Sequence, residues 1–176
     1  MVNTAIPLDE LRRRARTIAV VFTDCDGVLT DGSVYYDRQG ESMLRFSRRD
    51  GMGVERLRAQ SIEVAILTRE TSPIVEHRAA KLSTRLFAGV KDKRAAFPAL
   101  LREMYAQVEA CAFIGDDVND LDLLRYVTSM GGLSGAPADA RPEVRDAVLF
   151  VTEAPGGEGA FREFAEWILQ LRGATS

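Results

Sequence analysis

Asp24 and Asp26 stand two residues apart at the end of an apolar, β-branched run, Phe22-Thr-Asp24-Cys-Asp26-Gly27. Alternate side chains of an extended chain point the same way, so both carboxylates face one side. Gly27 then allows an abrupt turn and a close backbone approach to a ligand. A second acidic group, Asp116-Asp117-Val-Asn-Asp120, follows another apolar run that ends at Ile114. Carboxylates gathered without cations raise each other's pKa, and a hard divalent ion relieves the conflict. Magnesium suits such a place, because it takes few carboxylates, several waters and phosphate oxygens. Thr68, ending a third apolar run, adds a hydroxyl, and Lys93 adds an ammonium. The chain has 20 Arg but only three Lys, at positions 81, 91 and 93, so a retained ammonium marks a position where a compact charge is preferred to a planar fork. Metal, hydroxyl and ammonium together fit the three non-bridging oxygens of a phosphoryl group. One aspartate can attack phosphorus to give an aspartyl-phosphate. The neighbouring Asp26 can protonate the leaving alcohol and then activate water.

These groups act together only if the fold carries them to one place. Residues 17–23, 62–67, 85–88, 110–114 and 148–151 read as strands, the first as a central strand buried on both faces. Residues 33–36 and 42–46 flank an Asp37-Arg-Gln-Gly40 turn and read as a β-hairpin. Helices are expected over 50–60 with Asp50 as cap, 72–82 with Ser72 as cap and Pro73 in the first turn, 92–105, 119–126 and 159–171. Pro98 lies inside the third of these and predicts either a kink or a later start. Gly156-Gly-Glu-Gly159 lacks the phosphate-loop pattern and reads as a flexible loop. Strands alternating with helices predict a doubly wound α/β domain with a parallel sheet, in which chemistry gathers at the carboxyl ends of the strands. No repeat or linker divides the chain, so residues 1–176 read as one domain with a hairpin insert at about 33–46.

Composition removes several classes of function. A formal charge of −3 without a basic block argues against nucleic-acid binding. The longest aliphatic run, residues 18–22, is far short of the roughly 20 residues of a membrane span and of the about 7–15 of a secretory core. Cys25 and Cys111 sit in apolar runs and cannot form a disulfide framework. These features predict a soluble cytoplasmic domain. Cys25 lies between two acids that disfavour its thiolate. His77, the single histidine, reads as a surface or packing residue, which leaves no material for a Ser-His-Asp triad or a zinc site.

Asp24-Cys-Asp26-Gly-Val-Leu-Thr30, Thr68, Lys93 and Gly115-Asp-Asp-Val-Asn-Asp120 resemble the four motifs of the haloacid dehalogenase (HAD) superfamily of phosphatases. Asp26-Gly-Val-Leu-Thr-Asp-Gly32, Arg49-Asp-Gly51, Gly89-Val-Lys-Asp-Lys93 and Gly156-Gly-Glu-Gly-Ala-Phe-Arg-Glu-Phe164 resemble its capless branch acting on sugar acids. That branch holds 3-deoxy-D-manno-octulosonate 8-phosphate phosphatases, nine-carbon ulosonate 9-phosphate phosphatases and the C-terminal domain of acylneuraminate cytidylyltransferases. Leu133-Ser-Gly-Ala-Pro-Ala-Asp-Ala140 is similar to the last of these. The match covers about residues 17–170. The resemblance implies a magnesium-dependent phosphatase without a cap domain, with Asp24 as nucleophile and Asp26 as general acid/base. Asp24, the Asp26 carbonyl and Asp116 would bind Mg²⁺, Thr68 and Lys93 would hold the phosphoryl group, and Asp117 or Asp120 would support the metal from outside. It also implies a homotetramer in which the hairpins form a central barrel and neighbouring subunits cover each active site. Val34, Tyr35, Met43 and Phe46 on that hairpin agree, since a two-stranded ribbon alone is marginal in water.

After Thr68 many relatives carry Gly, followed by Arg in the octulosonate enzymes or Glu in the nine-carbon ones; here Arg69 and Glu70 follow. Glu70 with Arg78 and Lys81 resembles the nine-carbon group and suggests these three as substrate-binding residues. Two alternatives keep the same residues. A phosphoaccepting receiver-type module also uses Asp, Thr, Lys and Mg²⁺, but there the metal-binding acid pair precedes the phosphorylated Asp, whereas here the D-x-D comes first. An auxiliary domain that organises a cytidylyltransferase tetramer would not need the full set of acids, and no nucleotidyltransferase segment accompanies it.

Overall fold

The computed structural model describes residues 6–173, so the outermost residues of the 1–176 span lie outside the described part. Among the described residues eight strands occur in chain order: β1 Val20–Thr23, β2 Thr30–Asp37, β3 Gly40–Phe46, β4 Glu63–Leu67, β5 Arg85–Phe87, β6 Cys111–Ile114, β7 Leu133–Ala136 and β8 Phe150–Val151. Six of them form one sheet in the order β5-β4-β1-β6-β7-β8, and every pairing in it is parallel. β2 and β3 pair antiparallel with each other and stand apart from that sheet. Among the described residues the α-helices are α1 Leu8–Thr17, α2 Arg48–Ala59, α3 Pro73–Leu82, α4 Lys93–Glu103, α5 Val118–Ser129, α6 Pro142–Arg145 and α7 Ala160–Arg172.

The sheet is apolar on both faces, as parallel sheets must be when helices cover each side. Along β1, Val21 enters the core formed with α1, α2 and α7, while Val20 and Phe22 enter the core formed with α4 and α5. β4 and β6 alternate in the same way. Thr23 pairs with Ile66 on one side and Ile114 on the other, so β1, β4 and β6 end level. From β1 the chain first builds outward through β4 to β5 and then crosses back to β6. The strand order therefore reverses at β1, where doubly wound sheets place their crevice.

Several expectations are corrected. The first strand begins at Val20, and residues up to Thr17 belong to α1. Its Arg-rich sequence hides an apolar stripe of Leu11 and Ala15, both buried. Ser47, not Asp50, caps α2, its Oγ accepting from Arg49 N at 3.1 Å. Asp50 lies inside the helix and accepts from Arg162 N at 3.0 Å, so it caps α7, whose own N-cap residue is Gly159. Ser72 occupies the N-cap position of α3 without a side-chain cap bond; its hydroxyl donates to Glu41 of the hairpin. α4 begins directly after its cap Asp92 and keeps Pro98 inside it, so the later start is not needed. α6 and β7 had no strong periodicity to announce them. β7 is Leu-Ser-Gly-Ala, with Gly135 against Phe164 so closely that a Cβ there would lie 2.6 Å from the ring. The Gly156–Gly159 segment is packed rather than free: Gly156 N donates to Asp139 Oδ1 and Gly157 N to Val28 O, each at 2.9 Å. A Cβ on Gly156 would sit 2.0 Å from Gly27 O, so the segment wedges against the turn after β1. Among the described residues no helix is long and apolar enough to cross a membrane.

Candidate active site

Asp24 follows β1 directly and is held by the neighbouring strand end, its N–H donating to Ile114 O at 3.0 Å. Its Oδ1 accepts from Cys25 N at 2.6 Å, and its Oδ2 lies 2.7 Å from Lys93 Nζ. Lys93 is the first residue of α4 and only 1% exposed. Its ammonium also lies 2.6 Å from Asp120 Oδ1. The other oxygen of Asp120 accepts from Asp116 N at 3.1 Å. One buried ammonium thus ties the end of β1 to the loop after β6. Carboxylate oxygens of Asp24, Asp116 and Asp120 lie within 4.8 Å of one another.

Two glycines make this approach possible. Gly27 has φ +75°, and a Cβ there would fall 2.0 Å from Asp116 Oδ2. A Cβ on Gly115 would fall 2.5 Å from Asp120 Oδ2. Thr68 is buried just beyond β4. Its backbone bonds both ways with the end of β5, to Phe87 O and from Val90 N, and its Oγ1 accepts from Glu70 N at 3.2 Å. Asp24, Asp26, Thr68, Glu70, Asp116 and Asp117 line one cavity of about 260 Å³.

The electrostatics follow from burial and crowding. Burial raises the Asp24 carboxyl well above the usual range, Asp120 pushes the same way, and Lys93 opposes both. Burial and the charges of Asp120 and Asp117 push Asp116 up to about 7. Burial raises Asp26 as well, reinforced by Glu41 and Glu70. Burial alone would lower Lys93, but Asp24 and Asp120 outweigh it and hold the ammonium above its ordinary value. The donor set therefore fits a divalent cation: hard oxygen ligands, close together, whose crowding a bound cation would relieve.

The other sequence candidates fall into two groups. Glu70 lines the cavity with Asp24, Asp26, Thr68 and Asp116, while Lys93 lies buried behind it. Arg78 and Lys81 do not line it: Lys81 is exposed on α3, while Arg78 donates to Ser47 O at 2.9 Å and stands 5.3 Å from the Phe46 ring centroid. Asp117 lines the cavity and caps α5, accepting from Val118 N at 2.7 Å. Cys25 is fully buried and its thiol is pushed far up by burial and by Asp26 and Asp24. His77 is exposed, with Nδ1 2.6 Å from Pro73 O. Sequence reasoning did not single out Gly32 and Asn119, which line the cavity, although both lie inside the quoted motifs. Glu41 also went unnoticed, and nothing in the sequence links it to Asp26.

No protein-family profile matches the chain. It is 40% identical over 167 residues, 94% of this chain and 91% of the relative, to the 3-deoxy-D-manno-octulosonate 8-phosphate phosphatase KdsC of Haemophilus influenzae. A solved 3-deoxy-D-manno-octulosonate 8-phosphate phosphatase from Moraxella catarrhalis, in complex with magnesium, phosphate and KDO, superposes with a TM-score of 0.86 at 30% identity. The match covers 95% of this chain and 94% of that one. A Legionella pneumophila structure assigned to HAD subfamily III A gives a TM-score of 0.87 at 36% identity, covering 97% and 92% of the two chains.

Proposed function

The chain belongs to the 3-deoxy-D-manno-octulosonate 8-phosphate phosphatase family of HAD hydrolases, and on that premise we propose that it hydrolyses 3-deoxy-D-manno-octulosonate 8-phosphate with Mg²⁺. It is a phosphoric monoester hydrolase by family. The observation that carries the proposal is the meeting of Asp24, Lys93, Asp116 and Asp120, beside the cavity that Asp24, Asp26, Thr68 and Asp116 line.

In this reading Asp24 and Asp116 would hold the metal through side-chain oxygens, with the Asp26 carbonyl as a third ligand. Asp120 bridges Lys93 and Asp116 N and would support the metal from outside by orienting both. Bound magnesium would polarise the phosphoryl oxygens and offset the charge of the crowded carboxylates. Asp24 attacks phosphorus, the P–O bond to the sugar breaks, and Asp26 gives its proton to the departing oxygen. Asp26 then takes a proton from water as that water attacks the aspartyl-phosphate, which releases inorganic phosphate and restores Asp24. The raised pKa of Asp26 suits a group that must begin protonated. Lys93 and Thr68 hold the non-bridging oxygens in place. The exposed Val34, Tyr35 and Met43 of the hairpin support the further proposal of a homotetramer.

The Glu70 pattern favours a nine-carbon acid, while the relatives act on the eight-carbon one. Phosphate release from a panel of eight- and nine-carbon ulosonate phosphates, with Mg²⁺ or chelator, separates the two. The highest kcat/KM is expected on the octulosonate ester, and loss with chelator. A stable phosphoaspartate without turnover would favour the receiver-type module instead.

A further inference from the structure

We propose that Arg69 binds the carboxylate of the sugar acid and so makes this site prefer acidic over neutral phosphate esters. The inference rests on the reading above and names the part of the substrate that the phosphoryl-binding residues do not touch.

Five carboxylates line the cavity: Asp24, Asp26, Glu70, Asp116 and Asp117. Among the described residues, Arg69 is the single cation in that lining. Lys93 is buried behind it, held between Asp24 and Asp120. Magnesium and Lys93 can neutralise the phosphoryl end of the substrate, but both are committed there. An ulosonic acid carries a second anion at its far end, and a cavity so rich in carboxylates would repel that anion unless a free cation meets it.

Arg69 is that cation. It is exposed on the cavity side and makes no hydrogen bond or ion pair among the described residues. Its backbone is nevertheless fixed on both sides. Thr68 O accepts from Val90 N at 3.1 Å, Glu70 O accepts from Gly89 N at 3.2 Å, and Glu70 N donates to Thr68 Oγ1 at 3.2 Å. A guanidinium mounted on a pinned turn, beside the buried Thr68 but reaching outward, is prepared for bidentate capture of a carboxylate. The neighbouring Glu70 can accept hydroxyls of the polyol between the two anions.

The test compares wild type, Arg69→Ala and Arg69→Lys on octulosonate 8-phosphate and on p-nitrophenyl phosphate, which has no carboxylate. Wild type should prefer the acid. Arg69→Ala should raise KM for the acid by about 10- to 100-fold more than KM for p-nitrophenyl phosphate, with kcat on the acid little changed. Arg69→Lys should recover part of the loss, since a point charge replaces the fork. A preference retained in Arg69→Ala would overturn the role of Arg69 while leaving the proposed reaction intact. Equal losses on both esters would also overturn it, by assigning Arg69 to the phosphoryl group or to the fold. A wild type with no preference for the acid would overturn the substrate reading, and this inference with it.

Discussion

Asp24 and Lys93 show how a single contact can serve both the fold and the proposed chemistry. The 2.7 Å pair between them is buried, and removing one partner from a buried pair leaves an uncompensated charge. Asp24→Asn should abolish phosphate release, since an amide cannot attack phosphorus; most of the wild-type rate surviving would end the assignment. Lys93→Ala should slow turnover by several hundred-fold, because one preorganised donor to a transition state is worth about 2.7–4 kcal/mol. Lys91→Ala, at an exposed position, should leave turnover near wild type. The reverse ranking in steady-state kinetics would mean that the wrong lysine is in the site. The choice between these lysines was open to the sequence only through the motif, because their spacing alone is equally compatible with either. What sets them apart is α4: Lys93 opens that helix and points inward, while Lys91 lies in the loop before it.

At the scale of elements, one carboxylate joins two helices. Asp50 sits in α2 yet caps α7 through Arg162 N, and α7 follows the glycine wedge that packs on the turn after β1. Burial raises Asp50 to about 6, against the pull of the Arg162 amide and Arg78. A carboxyl whose folded pKa is raised favours folding while protonated and withdraws that favour as it ionises. Wild-type stability should therefore fall, relative to Asp50→Ala, as pH rises from about 4 through about 6. At lower pH the variant should be the less stable by about 0.5–2 kcal/mol, the usual cost of a lost cap. Denaturant melts of both proteins across that window measure the difference; a gap independent of pH would show that Asp50 does not titrate there. Its place in the sequence, just after Ser47, made it look like the cap of its own helix. Only the packing of α2 against α7 assigns it to the other one.

For the whole molecule, the site is a meeting of distant segments, and its stability is coupled to the cation. Asp116 is raised to about 7, so without metal its ionisation costs stability as pH rises toward that value. Bound metal needs the ionised form. The melting-temperature gap between magnesium and chelator should therefore widen from about pH 5 to about pH 8, and a constant gap would count against Asp116 as ligand. Assembly is the second prediction at this scale. The hairpin exposes Tyr35 and Met43, at 54% and 56% of their surface, while Leu44 is buried against its own subunit. Replacing Tyr35 and Met43 with Glu should convert the proposed tetramer to smaller species by light scattering, without unfolding the chain. An unchanged mass would remove the hairpin from the interface. Periodicity determined the alternation of strands and helices and the hairpin, and the motifs picked out the acids, hydroxyl and ammonium proposed for the chemistry, because buried strands and strand-end loops restrict residue types locally. The tertiary structure alone decided that Asp120 holds Lys93, that Asp50 caps α7, that the charge of Glu41 acts on Asp26, and that Arg78 and Lys81 lie outside the cavity. Those relations join residues tens of positions apart, and their distances depend on how strands stack and helices pack, which no local pattern encodes.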